Sequence, residues 1–254
     1  MLQPHSFLWH YLWVAPKLLS GLLAILLWKR GLHRRFRFFF IYLIFEFVEW
    51  AILYPLDLVP SVRGETYWRA NWISALVESL IVFALLAEIF ARAFDAYSAL
   101  ARLGKWLIRC GGACLVFGAT ITAAYAPIDN SFWLIPAVHI LQQSVYIVEC
   151  GLILLFFVCA GYFGLSWDRS SLGIALGLGI SASVHLATWA VAANGGLVEQ
   201  RYLLDMLNMA TNHVCVLLWF YYLVVPHKTV SKSAAPLPEN DLAVWNREVE
   251  RLLQ

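Results

Sequence analysis

Seven long stretches of Leu, Ile, Val, Phe, Ala and Trp follow one another along the chain, separated by short basic or polar joints. Windows of about 19 residues place them at roughly 7–28, 38–59, 69–91, 108–127, 134–160, 172–194 and 202–225. Each is close to the ~20 residues that a helix needs to cross the hydrocarbon of a bilayer. The pattern predicts an all-α membrane protein, a seven-transmembrane-helix bundle over 1–225 with a tail at 226–254. The first stretch has no Lys or Arg before it and a basic cluster after it, which reads as a retained helix and not a cleaved signal.

The tail divides in two. Ser231 to Pro238 is rich in Ser, Ala and Pro and reads as a linker. Leu242, Trp245, Val249, Leu252 and Leu253 then recur at helical spacing, opposed by Arg247, Glu248, Glu250 and Arg251, with Asn240 or Asp241 placed to cap the helix. A helix of about 15 residues is marginal alone, so it should lie on the membrane, on the bundle or on a partner.

The polar positions inside the apolar stretches are the informative ones. A charge at bilayer depth costs at least ~2.5–3.5 kcal/mol, so such residues face a protein interior or a wet cavity. Helical spacing sorts them into stripes. The fifth stretch has His139, Gln142, Gln143, Tyr146 and Glu149; the seventh has Asp205, Asn208 and Asn212, preceded by Arg201. The sixth offers Ser181, His185 and Thr188, the third Asn71, Ser74 and Glu78, and the second Glu46 and Glu49. Lys17 sits in the first stretch beside Pro16, which should kink that helix. The fourth stretch has no comparable stripe.

Lys and Arg orient the bundle. Fourteen of them flank the stretches on one side, including Lys29, Arg30, Arg34, Arg35, Arg37, Arg92 and Arg169, and three, Arg63, Arg69 and Arg201, lie on the other. The positive-inside rule then puts the N-terminus outside and the C-terminus in the cytoplasm. In that frame most of the polar set falls in the outer half, with Glu46 and Glu149 at or below the middle. The predicted ligand-binding set is Lys17, Glu49, Glu78, His139, Gln143, His185, Asp205, Asn208 and Asn212, lining an outward-leaning pocket.

Composition agrees with the class: 61% of residues are hydrophobic and 13% charged, against about 25% charged in soluble domains. The overall pattern has the look of a multi-pass protein of a bacterial inner membrane. A net charge of +2 without a basic face gives no reason to expect nucleic acid. Five cysteines without a CxxC pair read as packing thiols, and Gly173 and Gly177 form a GxxxG that lets helices approach closely.

Three functional readings follow. Sensing or binding a small ligand in the polar pocket, with the tail as output, fits the topology best, and no catalytic residues are assigned. Expected partners are membrane lipid, a small molecule, and a cytoplasmic protein or a second copy through 240–254. An intramembrane zinc or haem site on His139, His185 and His213 is the second reading, although no HxxxH or HExxH occurs. A proton path over Glu49, Glu78, Glu149 and Asp205 is the third, without support from an internal repeat. Against all three stands simple interhelical glue, since buried acids can be paired or protonated.

Overall fold

The computed structural model describes residues 6–58, 64–93, 134–162, 168–193 and 201–225, together with positions 106, 109, 110, 112, 113 and 251. Within them lie six helices: α1 (Phe7–Lys29), α2 (Arg37–Leu58), α3 (Gly64–Ala93), α4 (Leu134–Tyr162), α5 (Arg169–Ala193) and α6 (Arg201–Val224). Among the described residues there is no strand, so the all-α expectation holds. Five of the helices (α1, α2, α3, α5 and α6) are long and apolar enough to cross a membrane. In α4 the apolar described stretch is Gln142–Val158. The fourth predicted span and the tail helix lie outside the described residues, apart from those single positions.

Local chemistry sets the helix ends. Ser6 caps α1, its hydroxyl accepting from the Trp9 amide at 3.3 Å. At the other end Gly31 adopts φ 70°, a left-handed conformation that glycine takes without a Cβ penalty, and a 3-10 turn over Leu32–Arg34 leads into α2. Pro16 stays inside α1, buried, without ending it. The N-terminus of α2 is capped from another helix: the Glu88 carboxylate on α3 accepts from the Arg37 amide (3.1 Å) and the Phe38 amide (3.0 Å) while pairing with Arg92 (3.1 Å). A negative group at a helix start is favoured by the helix dipole as well. Glu88→Ala is therefore expected to cost about 1–2 kcal/mol, read as a lower unfolding temperature in detergent with the bundle otherwise intact.

The described helices close a ring. Each packs on the next in chain order, and α6 returns to α1, with α3 also touching α5. Contacts between Lys17 and Glu46, between Glu88 and Phe38, between Tyr146 and His185 and between Thr188 and Asn208 make the pairs α1/α2, α2/α3, α4/α5 and α5/α6 antiparallel. The pair α3/α4 differs. Phe90, near the end of α3, meets Phe156, near the end of α4, so these consecutive helices run parallel.

The interior is divided along its axis. The apolar core gathers at the end where α1 turns into α2: Leu23 and Leu27, Phe36 and Phe39, Leu85 and Ile89, Phe156, Ile174, Val216 and Trp219. Gly173 and Gly177 let α5 approach α6 here, lying under Tyr222 and Trp219 so closely that a Cβ on either would overlap the aromatic side chain. The Trp219 indole donates to the Ile174 carbonyl (3.4 Å), and Cys215 Sγ donates to the Gly177 carbonyl (3.2 Å). The GxxxG is a packing device, as its spacing suggested. Arg30 from α1 and Arg169 from α5 donate to the last carbonyls of α6, at Val224 (2.8 Å) and Val225 (2.9 Å), and Arg35 pairs with Asp168 (3.2 Å). Arg30 and Arg169 thereby cap the negative end of the α6 dipole.

Candidate functional site

Beyond the apolar core the facing residues turn polar. On α2, Tyr42, Glu46 and Glu49 share one face by their spacing, and Lys17 from α1 meets it. Lys17 Nζ forms an ion pair with Glu46 and lies 3.8 Å from Glu49 Oε2. Glu49 in turn is hydrogen-bonded to the Ser74 side chain on α3, one turn before Glu78. Glu46 and Glu149 are both only 4% exposed. The charges of Lys17, Glu46, Glu49 and Glu78 act on one another, and Tyr42 and Tyr146 sit within electrostatic reach of Glu46, Glu78 and Glu149. This network draws on α1, α2, α3 and α4.

Its charge is unbalanced. Among the described residues, four carboxyl groups share the region with one lysine, and one ammonium can neutralise one carboxylate. An unpaired charge buried inside a membrane is costly, so this excess of carboxyl groups is not what hydrogen-bonded glue alone would call for.

A cavity of about 300 Å³ opens beside the network, between α4, α5 and α6. Its polar lining is Gln142, Tyr146, His185, Thr188, Asp205 and Asn208, with Trp189 as its large aromatic wall. Thr188 Oγ1 lies 3.0 Å from Asn208 Oδ1 and 2.8 Å from the His185 carbonyl, which fixes the amide of Asn208 across the α5/α6 seam. His185 Nδ1 donates to the Ser181 carbonyl at 2.9 Å. In the neutral ring that leaves Nε2 as the nitrogen able to accept. The His185 ring packs on Tyr146 at a centroid distance of 4.6 Å. Tyr146 thus belongs to both places, lining the cavity while facing the carboxyl network.

The predicted set separates into these two parts. Lys17, Glu49 and Glu78 belong to the network; His185, Asp205 and Asn208 belong to the cavity, with Asp205 exposed. Gln143 and Asn212 are half-buried and line neither; the cavity takes Gln142, the neighbour of Gln143, instead. The His139 side chain lies outside the described residues. His213 turns toward α1, its ring 5.6 Å from Tyr11, with a buried Nδ1 that has no hydrogen-bond partner among the described residues. His185 and His213 therefore serve different helix pairs. Among the described residues no three His, Cys, Asp or Glu come together as a metal-binding group.

Sequence reasoning placed Glu46 below the pocket on depth, yet it is the nearest partner of Lys17. Tyr42 and Trp189 were missed. Tyr42 had a signal, lying four residues before Glu46 on the same face; Trp189 had none, being one of many aromatics in the chain. At the far end of the same half, His10, Trp13 and Tyr54 pack together, with Tyr54 Oη 3.3 Å from His10 Nδ1, as an aromatic rim. No known protein family, characterised protein or solved structure matches this chain, so its own geometry has to carry any functional conclusion.

Proposed function

We propose that this is a seven-helix membrane sensor or binding protein, with its N-terminus outside, that takes a small polar or amphipathic ligand into the cavity between α4, α5 and α6. The observation that carries this reading is the convergence of polar stripes from three helices on one cavity that adjoins a buried ion network through Tyr146. Interhelical glue needs hydrogen bonds between helices; it does not need an open volume of about 300 Å³ among them.

The parallel course of α3 and α4 supports seven crossings. The chain leaves α3 at one end of the bundle and begins α4 at the other, and this reading includes one further crossing between them. The apolar stretch predicted at roughly 108–127 is long enough for that crossing. An odd number of crossings puts the termini on opposite sides, in keeping with the fourteen-to-three distribution of Lys and Arg. The cavity then opens toward the outside, and the tail beyond Pro226 leaves the inner end of α6, the helix that carries Asp205 and Asn208. Ligand contact with α6 is the route by which the tail would respond.

Thermal unfolding of the purified protein against a panel of small polar and amphipathic compounds tests the reading. A binder present at a hundred times its Kd stabilises the folded state by about 2.7 kcal/mol. Such a compound should raise the unfolding temperature of the wild-type protein and leave Asp205→Asn/Asn208→Leu unmoved. A panel that stabilises neither protein, or both equally, sinks the proposal.

A further inference from the structure

A second recess lies outside the ring, on its lipid-facing side. It is a furrow of about 560 Å³ between α1 and α2, almost wholly apolar. Gly21 and Ala24 form its floor, because neither has a side chain large enough to fill the space beside Phe47. A Cβ at Gly21 would already touch Phe47 at 3.0 Å. Leu22, Ile25 and Ile44 form exposed walls.

We infer that this furrow holds one acyl chain of an anionic phospholipid, with its phosphate at Lys29 and Arg34. Three observations converge on that occupant. The first is length: on α1 the furrow runs from Leu18 to Lys29, about 16 Å at the helical rise. That is one leaflet of a hydrocarbon core about 30 Å thick. The second is position. The furrow starts at the level of Lys17, the middle of α1, and ends where the helix ends, so it spans one leaflet and not the midplane.

The third is charge. Lys29 is the one charged residue of the lining and stands at the furrow's end, and Arg34 is exposed on the turn that follows. Neither makes an ion pair among the described residues, whereas Arg35 and Arg92 are occupied by Asp168 and Glu88. Trp28 closes this end, its indole stacked on the His33 ring at 4.8 Å, which ties the turn that carries Arg34 to the furrow's last aromatic wall. An apolar slot of leaflet length with two uncommitted cations at headgroup level matches an anionic lipid, and a zwitterionic one only in its chain. The inference is independent of the sensor reading.

Native mass spectrometry of the full-length protein in detergent, with palmitoyl-oleoyl phosphatidylglycerol or phosphatidylcholine added, provides the test. One phosphatidylglycerol should be retained about 25-fold over phosphatidylcholine, and Lys29→Gln and Arg34→Gln should each remove about fivefold of that preference. Leu22→Trp, at an exposed wall position, should lower retention of both lipids by filling the slot. The control Lys228→Gln/Lys232→Gln removes two tail charges and should change nothing. No headgroup preference in the wild-type protein, equal loss in the tail control, or unchanged retention in Leu22→Trp would each overturn the inference.

Discussion

Lys17→Met should be among the most damaging single substitutions in the bundle, lowering its stability by about 3–5 kcal/mol, the range for breaking a buried ion pair from one side. The variant removes the one ammonium of the network and leaves Glu46, 4% exposed, facing Glu49, Glu78 and Glu149 without compensation. The cost comes from the stranded carboxyls more than from the lost attraction. Taking the partners away as well should therefore recover most of it. The triple variant Lys17→Met/Glu46→Leu/Glu49→Gln replaces the pair by apolar volume, an exchange that is often neutral or stabilising. Unfolding of the three proteins in the same detergent decides between roles. A triple variant as stable as wild type that no longer responds to a cavity ligand shows that the network serves binding. A triple variant as unstable as Lys17→Met shows that the network holds the helices together.

Gly177→Ala is expected to lower stability by about 2–3 kcal/mol, although it adds one methyl group. The added Cβ would overlap the indole of Trp219, which is 1% exposed and held by its hydrogen bond to Ile174. Neither partner can move cheaply. The ring is packed edge-on against Phe39 and Tyr42, with centroids 5.2 and 6.0 Å away, so displacing it disturbs α2 as well as α5 and α6. Trp219→Phe makes room on the Gly177 side. Combined with Gly177→Ala it should cost less than the two single losses added together, the signature of direct contact in a double-mutant cycle. Strict additivity would mean that the glycine and the indole do not meet.

The helices were legible because lipid imposes a simple rule: about twenty apolar residues, then a polar joint. The start of α3 was not, since Gly64 to Trp68 continues the helix with residues too polar to count as a span. Helical spacing groups the polar residues onto shared faces, and Tyr146, His185, Asp205 and Asn208 from three helices line one cavity. Spacing says nothing, however, about which inward faces meet. The expected single pocket divides into an ion network on α1 to α4 and a cavity on α4 to α6, because ring closure brings α6 back to α1 through His213 and Tyr11 and not through the Asn208 face. Gln142 and Gln143 illustrate the limit: both lie within the stripe by spacing, and only the packing of α5 decides that the first lines the cavity.

The division of the interior into an apolar half and a polar half has an electrical consequence. A water-accessible polar half lies close to the potential of the solution it opens to, so most of the transmembrane voltage falls across the half packed with Leu, Phe and Trp219. An ion there would experience up to about 2.3 kcal/mol per elementary charge for every 100 mV, while one beside Asp205 would experience little of it. In the outward orientation proposed above, occupancy of the cavity would follow the concentration on the side it opens to and stay nearly indifferent to the voltage across the membrane.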